Sequence, residues 1–117
     1  MVFNVLAHNR DDHVKNFAFL LDDTTGDWAL SPAYDLLYTP GPGGEHTMSL
    51  AGEGKNPGRS HLLRLAAQAD VAKREIVVII DQVWAAVARW KDFATAAGVS
   101  PVSIRQIAHS LCYYSTQ

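Results

Sequence analysis

Two aspartates and an asparagine, Asp11, Asn16 and Asp35, are the side chains in this sequence best placed to do chemistry. Asn16 stands at the entry to an apolar stretch, Phe17 to Leu21, and Asp35 follows a second one, Trp28 to Leu30. Between the two lies Asp22-Asp23-Thr24-Thr25-Gly26-Asp27, a polar turn containing glycine, so the pair of stretches reads as a β-hairpin. A hairpin returns the chain to the end where it started. Asn16 and Asp35 are therefore expected near each other, with Asp11 in the loop entering the same end. Two carboxylates and a carboxamide form a hard-oxygen set suited to Mg²⁺, which takes few protein oxygens and completes its shell with water and phosphate. Phosphoryl transfer needs such a set: one carboxylate to orient a hydroxyl nucleophile and accept its proton, and oxygens to hold Mg²⁺ against the phosphates.

Spacing sharpens the reading. Asp11 precedes Asn16 by five residues, as the base precedes the metal-binding asparagine in the catalytic loop of protein kinases, whereas Asp12 does not. With Asn9-Arg10-Asp11-Asp12-His13-Val14-Lys15-Asn16-Phe17 as N-x-D-D-H-x-K-N-F, and Ser31-Pro32-Ala33-Tyr34-Asp35 after the hairpin, residues 3–38 resemble the C-terminal domain of the HipA family of kinases. The similarity continues more loosely through His46 to Gly52 and the helical tail. The resemblance implies a bacterial serine/threonine kinase, often the toxin of a toxin–antitoxin pair, that uses ATP and Mg²⁺. It implies Asp11 as catalytic base, Asn16 and Asp35 as Mg²⁺ ligands, and His13, Lys15 and Asn16 along the nucleotide phosphates with Tyr34 beside them. A protein substrate and an antitoxin are the implied partners. HipA-like kinases run to several hundred residues, with an N-terminal part that supplies a phosphate-covering loop and a nucleotide-contacting lysine. The 117 residues here show neither, so the expectation is a partial C-terminal domain over residues 1–117, inactive on its own. The alternative is a non-catalytic remnant or interaction module that keeps the fold.

The elements around these residues can be placed from the pattern. Val2 to Ala7 is apolar and starts without a capping residue, as though inside an element of a larger protein. Val2, Phe3, Val5 and Leu6 are then expected to be partly uncovered, with Phe17 and Phe19, and to drive self-association as a dimer. From Thr39 to Arg59 there are three prolines and six glycines, which predicts a long irregular loop, free to move. Ser60 is a candidate cap for a helix over 61–69, and Asp70 for a longer one over 71–97 closed by Gly98. Ile76, Ile80, Val83, Val87, Trp90 and Ala94 recur at three- and four-residue steps as one apolar stripe. Ser100-Pro101 opens a last helix to about Tyr113, and Trp84 is expected against Tyr113 or Tyr114. The fold class is α+β, mainly α: a short hairpin beside the catalytic loop, packed on a helical half like a kinase C-lobe.

Composition excludes several classes. Forty-eight per cent hydrophobic and 19 per cent charged residues specify a folded chain rather than a disordered one. A net charge of −2 with no basic stripe gives no footprint for direct nucleic-acid binding. A DNA-binding helix over 100–114 is weak for the same reason, since Arg105 is its only base apart from His109. Cys112 is the only cysteine, so no internal disulfide forms and a reducing, cytoplasmic setting is expected. The longest apolar run, Ile76 to Ile80, is too short for a membrane span, and the start of the chain lacks the features of a signal peptide. His8, His46, His61 and His109 show no zinc spacing. Taken singly, Asp11, Asn16 and Asp35 would be turn and capping residues, and His13 and Lys15 solvated loop residues. Their joint spacing selects the site.

Overall fold

A computed structural model of the chain describes residues 1–111. It contains five helices and one two-stranded antiparallel sheet: α1 Val2–Leu6, β1 Phe19–Leu21, β2 Trp28–Leu30, α2 Arg59–Gln68, α3 Lys73–Val87, α4 Trp90–Ala96 and α5 Pro101–Leu111. Short 3₁₀ turns occur at Val14–Asn16 and Pro42–Gly44. The fold is α+β and mainly helical. Among the described residues no helix is long and apolar enough to cross a membrane.

The hairpin forms where the apolar runs placed it, with Phe19 opposite Leu30, Leu20 opposite Ala29 and Leu21 opposite Trp28. The turn is set by Asp22, whose carboxylate accepts the N–H groups of Thr24 and Thr25 at 2.8 and 3.1 Å. Those two bonds favour the charged form and hold the Asp22 carboxyl below its ordinary range. The expected packing of the hairpin on the helical half is not found, because every residue of both strands is exposed. Two strands of three residues, apolar on both faces, have no second layer to bury either face.

The core lies among the helices and one loop. Val5 and Leu6 of α1, Leu62 and Ala66 of α2, Ile76, Ile80 and Val87 of α3, Leu111 of α5 and the loop residue Leu50 form one buried cluster. Helices α1 and α2 pack on α3, and α4 packs on α5. The apolar stripe is confirmed as core: Ile76, Ile80, Val87 and Ala94 are buried, with Val83 and Trp90 packed against the cluster. Burying each such aliphatic side chain contributes about 1.5–3 kcal/mol. Val5 and Leu6 correct the expectation of an uncovered N-terminal segment. They pack on α3 at 1 and 2 % exposure, while Phe3 is 37 % exposed and Phe17 and Phe19 face solvent.

Helix boundaries show where capping chemistry overrode the sequence reading. Helix α2 begins at Arg59, not after Ser60, with Gly58 donating its N–H to His61 Nδ1 at 3.1 Å. Asp70 does not cap the next helix but takes a left-handed conformation (φ 56°) in the turn. Helix α3 starts at Lys73 behind Ala72. The single long helix expected over 71–97 is two, α3 and α4, broken at Ala88–Arg89. After the break the Trp90 indole donates to the Ile104 carbonyl at 3.1 Å, tying α4 to α5. Gly98 ends α4 as read: at φ 73° its N–H meets Thr95 O, and the Val99 N–H meets Ala94 O, the double bond of a Schellman motif. Ser100 Oγ accepts the Ser103 N–H at 3.2 Å and starts α5. Cys112 and the expected contacts of Tyr113 and Tyr114 lie outside the described residues.

Candidate functional site

Residues 9–12 run between α1 and the irregular segment 39–58, and their side chains differ in burial. Asn9 and Asp12 are buried, Arg10 is half-buried and Asp11 is exposed. The Arg10 guanidinium reaches three carbonyls of the irregular segment, Pro40 at 3.3 Å, Gly44 at 2.7 Å and Lys55 at 3.2 Å. Its own carbonyl accepts the N–H and the hydroxyl of Thr47 at 3.0 and 3.1 Å. Asp12 accepts the Met48 N–H at 3.2 Å and meets His46 Nδ1 at 2.9 Å. Segment 39–58 is thus irregular, as its prolines and glycines require, but it is pinned to residues 10–12 from one side. Asp11 alone of the four is left facing water.

Two of the sequence-predicted residues, Asn16 and His13, approach Asp11 directly. Asn16 donates its side-chain amide to the Asp11 carbonyl at 3.0 Å, and His13 Nε2 stands 3.8 Å from Asp11 Oδ1. Tyr34 donates its hydroxyl to the Lys15 carbonyl at 2.7 Å, which ties the segment after the hairpin to the one before it. A cavity of about 210 Å³ opens there, with Asn16 and Tyr34 in its wall together with Phe3, Asn4 and Asn9. Asp11 and Asp35 are not part of that wall. Asp35 is exposed and left-handed (φ 54°), and its carbonyl accepts the Asn9 side-chain amide at 3.0 Å. A residue with a Cβ is mildly strained in that region, which His8, Ala51 and Asp70 also occupy.

Among the described residues no three His, Cys, Asp or Glu side chains cluster as a metal site. Mg²⁺ keeps most of its shell as water and phosphate and asks the protein for one or two oxygens, and of the two residues expected to supply them only Asn16 lines the cavity. Asn16 and Asp35 offer such oxygens, one from each side of the hairpin.

The sequence model of the HipA-like C-terminal domain matches residues 1–91, from α1 to the start of α4. The chain belongs to this family. No curated protein and no solved structure matches it. Within the HipA-like domain the first part of the motif that carries the resemblance, Asn9 to Asp12, is the stretch held between α1 and segment 39–58. Sequence reasoning missed Asp12 and His46. Asp12 is a fixed position of the motif to which no role was given, and His46 one of several histidines without metal spacing, yet they form a buried pair. No local signal separates Asp12 from Asp11, because the partners of Asp12 lie 34 and 36 residues away.

Proposed function

We propose that this HipA-like domain carries the catalytic-loop and Mg²⁺-binding portion of an ATP-dependent serine/threonine protein kinase. Asp11 would orient the substrate hydroxyl and accept its proton. Asn16 and Asp35 would hold Mg²⁺, and His13, Lys15 and Tyr34 would lie along the nucleotide. Bound Mg²⁺ would supply charge neutralisation at the phosphates. The observation that supports this reading best is the presentation of Asp11: an exposed carboxylate on a clamped loop, with Asn16 bonded to its carbonyl. His13 Nδ1, buried without a hydrogen-bond partner, leaves polar capacity beside it. A Ser/Thr protein as substrate, an antitoxin as partner and a cytoplasmic setting belong to the same proposal, and direct nucleic-acid contact does not. Turnover by these 117 residues alone is not expected, because transfer also needs a cover that positions the phosphates.

The test is metal-directed. Mn²⁺ added with ATP to isotopically labelled chain should broaden the NMR signals of Asn16, Asp35 and Tyr34 first, and Asp35→Asn should abolish that selectivity. Broadening confined to other carboxylates would overturn the assignment.

A second reading, an interaction module without catalysis, is favoured by a different feature. An apolar cleft of about 260 Å³ lies between α1, residues 36–38, α4 and α5, lined by Phe3, Leu37, Trp90 and Phe93 among others. Under that reading Mn²⁺ and ATP leave the Asn16 and Asp35 signals unchanged.

A further inference from the structure

We propose that Asp12 and His46 are positioning residues that hold Asp11 in place, an inference that rests on reading Asp11 as the base. Their side chains are 1 and 2 % exposed and meet at 2.9 Å. The second Asp12 oxygen accepts the Met48 N–H. His46 is itself fixed, since its backbone N–H donates to the Gly54 carbonyl at 2.7 Å. A carboxyl and an imidazole sealed in this way cannot turn to water, so breaking their bond leaves polar atoms buried and unsatisfied.

The placement of the pair along the chain gives it a local role. Before Asp11 the backbone is held at Arg10, by Thr47 on its carbonyl and by three carbonyls on its guanidinium. After Asp11 the tether to segment 39–58 is the Asp12 side chain. Asp11 is therefore spanned between two anchors on the same segment, one on each side, and its carboxylate is directed outward because both neighbours are directed inward. Releasing Asp12 frees the C-terminal half of that span. The Asp11 carbonyl, which accepts the Asn16 amide, moves with it, so the base and the metal-binding asparagine lose their fixed separation together.

The experiment reads that geometry in the ligand-free chain, by NMR, at the Asp11 carbonyl carbon and the Asn16 side-chain amide protons. His46→Leu removes the nitrogen and keeps the bulk, and both signals should shift to the values of groups without a hydrogen bond. His46→Asn, whose amide nitrogen can occupy the place of Nδ1, should restore them. Leu62→Ala, a core change at a residue that shares no hydrogen bond with the pair, should lower the melting temperature and leave both signals in place. Unchanged Asp11 and Asn16 signals in folded His46→Leu, or an equal shift in Leu62→Ala, would overturn the proposal. If His46→Leu does not fold, Asp12→Ser decides, since its shorter arm cannot span to the imidazole and must produce the same two shifts. The metal experiment above can fail while these shifts occur, and the reverse, so the two readings are judged separately.

Discussion

The side-chain amide of Asn9 donates to the main-chain carbonyl of Asp35 at 3.0 Å and to Asn4 Oδ1 at 3.3 Å. One buried asparagine thus joins α1, the acid-bearing loop and the segment after the hairpin. Asn9→Ala leaves two acceptors without a donor, and the expected loss is about 2–4 kcal/mol in chemical denaturation. A loss below about 0.5 kcal/mol would show that water replaces the amide at no cost.

Asp35 separates conformation from chemistry. Its φ of 54° suits glycine better than any residue with a Cβ. Asp35→Gly relieves that strain and adds freedom to the unfolded chain, so stability should stay within about 1 kcal/mol of the parent. The carbonyl that Asn9 needs is retained. Mn²⁺-induced broadening at Asn16 should nevertheless disappear. Asp35→Val, β-branched in a left-handed position, should instead cost about 1–3 kcal/mol.

Gly41 lies at φ 73°, and a Cβ there would overlap the Glu45 carbonyl oxygen and stand 2.7 Å from Arg10 Cβ. Gly41→Ala should push the 41–45 turn away from Arg10 and loosen its bonds to Pro40 and Gly44. A destabilisation of about 2 kcal/mol or more is expected, with the largest NMR shifts at Arg10. At Gly26 (φ 76°) a Cβ meets nothing, so Gly26→Ala should cost only about 1 kcal/mol.

His8 should make stability pH-dependent. Burial, and then the charges of Arg10 and His46, lower its pKa from 6.5 to about 4. The unfolded chain then binds the proton more readily than the folded one. Stability is full above about pH 6.5 and falls as the pH drops toward 4. Allowing for the ring's partial exposure, about 1–2 kcal/mol is at stake. Asn tolerates the left-handed φ of 52° at this position, so His8→Asn should flatten the difference between melts at pH 7.5 and 4.5. An unchanged difference would place the effect in other groups.

Phe3, Phe17, Phe19 and Trp28 give the chain apolar surface on the hairpin and beside α1. Contiguous apolar patches of this kind commonly become interfaces, and a dimer is the expected form. Sedimentation over a concentration series should show association that weakens in Phe19→Ser with Trp28→Ser. A monomer at high micromolar concentration would remove the prediction.

How much of this was legible can be argued from particular residues. The hairpin, the Gly98 stop, the Ser100 cap and the Ile76–Val87 stripe are local or periodic signals, and the structure follows them. The break at Ala88–Arg89 carries neither proline nor glycine, so only the tertiary contact of Trp90 with α5 reveals it. Asp11 and Asn16 could be paired by spacing because they lie in one loop. The clamp that holds them joins residues 30 to 45 positions apart, and no pattern within a local window reports a partner at that distance.

Those separations also set an order of events during synthesis. Lys55 follows Arg10 by 45 residues, and at about 5–20 residues per second its addition comes roughly 2–9 s later. Through that interval the acid-bearing loop is already made while the carbonyls and the imidazole that fix it are not. Helices α2 to α5 come later still, and the core that holds Leu50 waits for them. The acid therefore acquires its fixed geometry only after most of the chain has emerged from the ribosome, and a nascent chain carries the motif without the arrangement.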